Sequence, residues 1–246
     1  MDPQSPAAPS RIAIIGASGG IGAALTAALL DRADGAVIYA AARNPPAPRP
    51  GLNPLAFDLL DEGSIAAAAA AISADGPLDL VLVTTGSLVL PSGSGPEKSL
   101  RALDPVAMAQ AYALNTIGPA VIAKHLLPIL VRDRRAVFAA LSARVGSITD
   151  NRLGGWHSYR ASKAGLNMVI RNCAIELARS HPQAIAVTLH PGTVDTALSA
   201  PFQRGVAAEK LFTPGVSAAH LLQVIDKLTP ADSGGLFAWD GVRIAY

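Results

Sequence analysis

Short apolar runs alternate along this chain with longer stretches of helical length. Residues 11–15, 36–41, 53–57, 78–84, 135–142 and 185–190 are rich in Ile, Val, Leu and Ala with few polar interruptions, as expected of strands buried on both faces. Between and beyond them, 21–30, 62–72, 104–130, 156–180 and 211–228 have helical length and propensity. A last short strand is expected at 235–238. The βαβα alternation predicts an α/β chain with a doubly wound parallel sheet and helices on both faces. No linker or repeat divides residues 11–246, so one domain is expected there. Residues 1–10, rich in Pro and polar side chains, read as a flexible tail without the basic and apolar regions of a signal peptide.

Composition narrows this picture. Half of the 246 residues are apolar and 15% are charged, which supports a large core and argues against disorder. A net charge of +2 with scattered Lys and Arg lacks the basic stripe of a nucleic-acid binder, so no such partner is expected. Cys173 is the only cysteine, which excludes intramolecular disulfides and fits a reducing compartment, the cytoplasm. The apolar stretch 105–130 is interrupted by Gln110, Asn115, Lys124 and His125. It reads as a buried or oligomer-facing helix, with no membrane partner. The histidines show no metal-ligand spacing, and each reads as a helix, cap or loop residue; no metal is expected.

The first strand runs into GASGGIG, with Gly16, Gly20 and Gly22 at the turn into the first helix. Glycine permits close backbone approach to a pyrophosphate, and the helix N-terminus supplies amide donors and a positive dipole end. In strand–turn–helix context this is a dinucleotide seat, and the fold is expected to be Rossmann-type. At the end of the second strand the chain reads Ala41, Ala42, Arg43, Asn44. No acid is present to hold a ribose hydroxyl pair, and Arg43 can pair with a 2′-phosphate, so NADP(H) is preferred over NAD(H). The alternative for Arg43 is a solvated loop cation. Asp58 and Leu59 follow the third strand, where an acid and an adjacent amide can meet the adenine; Asp58 can instead cap the next helix.

Tyr159 and Lys163 stand four residues apart in SYRASKAG, so on a helix they share one face. A lysine ammonium near a phenol favours the phenolate and lowers its pKa. Such a tyrosine can exchange a proton with a substrate oxygen while hydride moves on carbon.

GASGGIG, LNTIGPA, YRASKAG and HPGTVDT, in this order and spacing over nearly the whole chain, resemble the short-chain dehydrogenase/reductase family. GPEKSL, LSARVGSITDNRLGGW, PGTVDTALSAPFQ and AWDG resemble its branch around the C-factor and sniffer-type carbonyl reductases. The resemblance implies that Lys163 also binds the nicotinamide ribose, and that Asn115 helps hold a water linking Lys163 to solvent. It implies that Ser18, Ile21 and Gly86 join the cofactor site, and that Pro191, Gly192, Val194 and Thr196 meet the nicotinamide carboxamide. It also implies paired helices in a homodimer or homotetramer.

Two departures stand out. The family places a serine beside the tyrosine to hold the substrate oxygen, and SARVGS puts Ala143 in that column. Ser147, in the following loop, is the first substitute and Ser142 the second; either can instead satisfy local backbone. The usual NNAG after the fourth strand reads Val83, Thr84, Thr85, Gly86, where the threonine hydroxyls are expected to take over. The reading is an NADP-dependent oxidoreductase acting on a small-molecule carbonyl or alcohol. Its rival is a cofactor-binding sensor or signalling protein with little turnover, motivated by Ala143 and the altered NNAG segment.

Overall fold

The computed structural model describes residues 10–32, 35–205 and 207–246. The expected tail, apart from Ser10, lies outside them. Ser10 belongs to the domain, since its backbone N–H and hydroxyl donate to Asp79 at 3.1 and 2.8 Å.

Strands β1 (Arg11–Ile15), β2 (Val37–Ala42), β3 (Leu52–Ala56), β4 (Leu80–Val83), β5 (Ala136–Leu141), β6 (Ala184–His190), β9 (Leu236–Ala238) and β10 (Arg243–Ile244) form an eight-stranded sheet in the order β10-β9-β6-β5-β4-β1-β2-β3. It is parallel except for β10, which runs against β9. Alternate residues of β1 explain the unbroken apolar runs. Ile12 and Ile14 join one buried cluster with Leu25, Leu29, Leu221 and Ile225, from helices α1 (Gly20–Arg32) and α6 (Pro214–Lys227). Ala13 and Ile15 join the other, against α2 (Glu62–Ala74), α4 (Gly118–Leu126) and α5 (His157–Leu177). Strand order reverses between β1 and β4, and in open α/β sheets such a point opens a crevice at the strands' carboxyl ends.

Two expected helices differ in detail. The stretch 104–130 is α3 (Pro105–Tyr112), a π-helical turn (Ala113–Ile117), α4, and a 3-10 turn (Leu127–Ile129). Pro119 has no N–H to give the Asn115 carbonyl at helical spacing, and the wider turn is closed by Gly118 N–H to Ala113 O. The run Pro105–Ile129 is long and apolar enough to cross a membrane, yet Ala111, Ile122, Ala123 and Leu126 are buried in this fold. The expected helix 211–228 starts only at Pro214, with Thr213 as its cap. Leu211–Phe212 (β8) instead pair with Thr193–Val194 (β7) in a separate two-stranded ribbon.

Candidate active site

Gly16 leaves β1 with φ +94° and donates its N–H to Ala41 O at 2.8 Å. A Cβ on Gly22 would stand 2.2 Å from Gly16 O, and one on Gly20 2.6 Å from Thr196 Cγ2. The loop is therefore closed to any larger residue at these points. Thr84 Oγ1 bridges Ile15 O and Gly16 O at 2.9 and 3.1 Å, fastening the glycine loop where the family pattern has an amide side chain. A cleft of about 510 Å³ opens above it, lined by Gly16, Ser18, Arg43, Asp58, Leu59 and Thr84 to Ser87, among others. Arg43 is exposed at its rim and makes no hydrogen bond or ion pair with a described residue. Asp58 does not cap α2, because Asp61 does, through Gly63 N–H at 2.8 Å. The Asp58 carboxylate instead closes a turn with Leu60 N–H at 3.0 Å. Leu59 packs on α4, close enough that a Cβ at Gly118 would be 2.5 Å from its Cδ1.

A second, mainly apolar cleft of about 310 Å³ shares Thr84 to Ser87 with the first. Ile21, Pro191, Gly192, Val194 and Thr196 line it together with Tyr159 and Lys163. Gly192, at φ +80°, has the Phe212 ring where a Cβ would stand, at 2.6 Å. Thr85 Oγ1, shared by both clefts, is buried without a protein partner. A glycine cradle and an orphaned hydroxyl on its floor fit a dinucleotide, with Arg43, paired with no described residue, at the rim.

Tyr159 and Lys163 share a face of α5. Lys163 is buried, donates to Leu141 O at 2.9 Å, and holds Nζ 5.9 Å from the Tyr159 ring centre. A Cβ on Gly86 would lie 3.2 Å from Lys163 Nζ and 3.1 Å from Asn115 Oδ1, so both groups converge there. Asn115 sits in the π-helical turn with its amide committed to Ser87 N–H (2.8 Å), Ser87 O (2.9 Å) and Ser162 Oγ (3.2 Å). Its side chain thus has protein partners, while Pro119 strips its carbonyl of a helical donor.

Burial pushes the Tyr159 phenol up to about 12 and the Lys163 ammonium down to about 8. For tyrosine this is opposite to the direction expected from lysine pairing. Desolvation outweighs the attraction of an ammonium that is itself destabilised by burial. The phenol therefore holds its proton at neutral pH and is set up to act as an acid.

Ser147 does not enter this site. Its hydroxyl donates to Ala245 O on the C-terminal segment and accepts from Asp150 N–H at 3.0 Å. Ser142 borders the cleft, but its hydroxyl is given to Asn167 Oδ1 on α5 at 2.8 Å. Neither replaces the hydroxyl that Ala143 lacks. Sequence reasoning missed Phe202 and Glu97, and left Trp156, which could line a pocket or only pack the helix start, without a role. The Trp156 ring lies edge-on to Tyr159 (6.2 Å between centres) and to Phe202 (5.3 Å), forming an aromatic wall. Trp156 caps α5 in a left-handed conformation, φ 51°, after two glycines at φ +62° and +64°. Its side chain has no capping oxygen. The buried Glu97 carboxylate, from the loop after β4, caps instead by accepting from Ser158 N–H at 3.0 Å and from the Ser158 hydroxyl. A helix opening on Gly-Gly-Trp, without a capping Ser, Thr or Asp, was the available signal that its cap comes from elsewhere.

Fold and site together define a Rossmann-type scaffold with a tyrosine and lysine at the junction of two clefts. A family model for the short chain dehydrogenases matches residues 10–206, and the chain belongs to that family of oxidoreductases. Relatives include the C-signal protein of Myxococcus xanthus, 31% identical over 70% of this chain and 94% of its own length. The 1-hydroxy-2-glutathionyl-2-methyl-3-butene dehydrogenase of a Rhodococcus species is 31% identical over 96% of this chain and all of its own. Among solved structures, the NADPH-bound carbonyl reductase from chicken fatty liver superposes with a TM-score of 0.84 at 24% identity, covering 99% of this chain and 97% of its own. The carbonyl reductase Sniffer of D. melanogaster gives 0.82 at 23%, covering 96% and 99%. These two structures share the fold, and the C-signal protein is among the relatives that the sequence motifs point to.

Proposed function

We propose that this protein is an NADP(H)-dependent reductase of apolar, uncharged carbonyl compounds. The observation that carries it is that Lys163 and Asn115 converge on Gly86, where the dinucleotide cleft meets the apolar one that Tyr159 lines. When bound, NADPH supplies the hydride. Its 2′-phosphate is assigned to Arg43, its pyrophosphate to the Gly16–Gly22 loop with Ser18 and Ile21, and its adenine to Asp58 and Leu59. Its ring amide is assigned to the segment from Pro191 to Thr196. Trp156, Phe202, Leu88, Val145 and Leu198 exclude water and favour an apolar substrate. Tyr159, protonated at neutral pH, gives its proton to the oxygen as charge develops there. Lys163 resupplies it along a water held by the Asn115 carbonyl, and binds the nicotinamide ribose.

The substrate is a small molecule, and the reading places the protein in the cytoplasm without nucleic-acid or membrane partners. Exposed Ile117, Met168 and Ile175, on or beside α4 and α5, support a homodimer or homotetramer through these helices. Sedimentation at working concentration tests this, and a monomer would refute it. NADPH oxidation with a panel of aldehydes and ketones, by wild type and Tyr159→Phe, tests the reaction. Ala143, with both neighbouring serine hydroxyls engaged elsewhere, favours one second reading, an NADP(H)-binding signalling protein of low turnover. Tight NADPH binding without oxidation over the panel would select it.

A further inference from the structure

With Ala143 in the serine column, Tyr159 is left as the only assigned donor to the substrate oxygen. Several other polar groups in the apolar cleft are engaged. The hydroxyls of Ser87 and Ser199 donate to the Val89 and Val194 carbonyls, and Arg144 is paired with Asp150 at 2.9 Å. Thr85 belongs to the wall shared with the dinucleotide cleft.

His190 is different. It ends β6, one residue beyond Leu189, the register partner of Leu141 on β5, so it reaches the cleft at the same sheet end as Ser142 and Ala143. Neither ring nitrogen bonds a described protein group, and Nδ1 is closed to solvent with no partner. Nε2, also without a partner but not closed to solvent, is the ring nitrogen that a ligand can reach, and an unpaired polar atom there is costly unless a ligand or water completes it. Burial, reinforced by the Arg144 guanidinium and only partly opposed by Asp240, pushes the His190 pKa down to about 4. The ring is therefore neutral at physiological pH, with one N–H to give.

We propose that His190 donates its ring N–H to the carbonyl oxygen of the substrate, in place of the hydroxyl that Ala143 lacks. The assignment rests on the reductase reading above. As hydride adds to the carbonyl carbon, the C–O π pair moves onto oxygen. The growing negative charge is shared by the His190 N–H and the Tyr159 O–H. Tyr159 then transfers its proton to give the alcohol, and His190 keeps its own. His190 is in this sense a catalytic residue, stabilising charge that exists only as the reaction proceeds.

The test compares wild type, His190→Ala, His190→Gln, Ala143→Ser and the double variant Ala143→Ser/His190→Ala in NADPH-dependent reduction of a carbonyl panel. NADPH affinity and thermal melting are measured alongside. His190→Ala is expected to lower kcat roughly 100-fold, the lower end of the loss that follows removal of an oxyanion donor, with NADPH affinity unchanged. His190→Gln, which keeps an N–H donor, retains most of the rate. The double variant recovers most of it as well, because a serine hydroxyl at 143 supplies the missing donor. A histidine needed only for packing would not be rescued by that serine. The proposal is overturned if His190→Ala turns over like wild type, or if the folded double variant stays as slow as His190→Ala. Absence of Tyr159-dependent turnover in wild type contradicts the reductase reading and this assignment with it. Tyr159-dependent turnover with His190→Ala unimpaired contradicts the His190 assignment alone.

Discussion

Removing the Glu97 carboxylate should loosen the start of α5, because Glu97 does for that helix what its own capping residue cannot. In Glu97→Ala, the Ser158 amide and hydroxyl, both in a buried residue, lose their acceptor. Loss of a helix cap costs about 1–2 kcal/mol, and loss of a hydrogen bond to a charged acceptor about 1.5–3 kcal/mol. These contributions overlap, so a combined loss of about 2–4 kcal/mol is expected, which for a domain of this size lowers Tm by about 4–16 °C. Glu97→Gln keeps one acceptor oxygen and should lose about half of that. Burial alone would raise the Glu97 pKa, but the donors from Ser158 outweigh it and hold the carboxyl below its usual 4.5. A carboxylate depressed on folding contributes stability that is full above its unfolded value and is lost as pH falls through its folded value. Wild type should therefore approach Glu97→Gln in stability below pH 4.5, while exceeding it at pH 7. Because Trp156 N–H also donates to Glu97 O at 2.5 Å, the aromatic wall shifts with the loop, and KM for the carbonyl should rise more than KM for NADPH. Thermal melts at pH 4 and pH 7, with steady-state kinetics at pH 7, make the comparison. A Glu97→Ala protein melting with wild type at pH 7 would refute the capping argument.

The other expectations concern charge at the two clefts. Arg43→Ala should raise KM for NADPH roughly 10- to 100-fold, the size of a lost charge-assisted phosphate contact of about 1.5–3 kcal/mol, and leave that for NADH nearly unchanged. An equal effect on both cofactors would remove Arg43 from the phosphate site. Lys163, lowered by burial to about 8, binds its proton less well folded than unfolded, so the unfolded chain carries more protons above that value. Stability should then rise from pH 8 to pH 10 by about 2 kcal/mol in wild type relative to Lys163→Met, as urea titrations would register. Parallel pH profiles in the two proteins would contradict a buried, destabilised ammonium.

Much of the fold is readable from local pattern, because β1, β4, β5 and β6 are covered on both faces and so lack polar alternation. The glycine loop and the Tyr159–Lys163 spacing are equally local, and the structure brings them to one junction. What escaped depends on distant partners. Ser147 is taken by Ala245, 98 residues further along the chain, and Ser142 by Asn167 on the facing helix. Glu97 is tied to Ser158, 61 residues away. Leu211 and Phe212 leave the expected helix because Pro214 starts it and β7 offers a partner strand. The π-helical turn at Asn115 had a local cause in Pro119, whose missing N–H falls at the position that would serve the Asn115 carbonyl.

The most direct test of hydride chemistry at Tyr159 is transfer of deuterium from NADPH labelled at nicotinamide C4 to the carbonyl carbon of a reducible substrate, followed by mass spectrometry of the alcohol. Wild type is expected to place the label on that carbon. Tyr159→Phe should bind NADPH as well and do so slower by roughly 100-fold or more, as loss of a positioned general acid implies. Tight NADPH binding with no label transferred by wild type, or equal transfer by Tyr159→Phe, would contradict it.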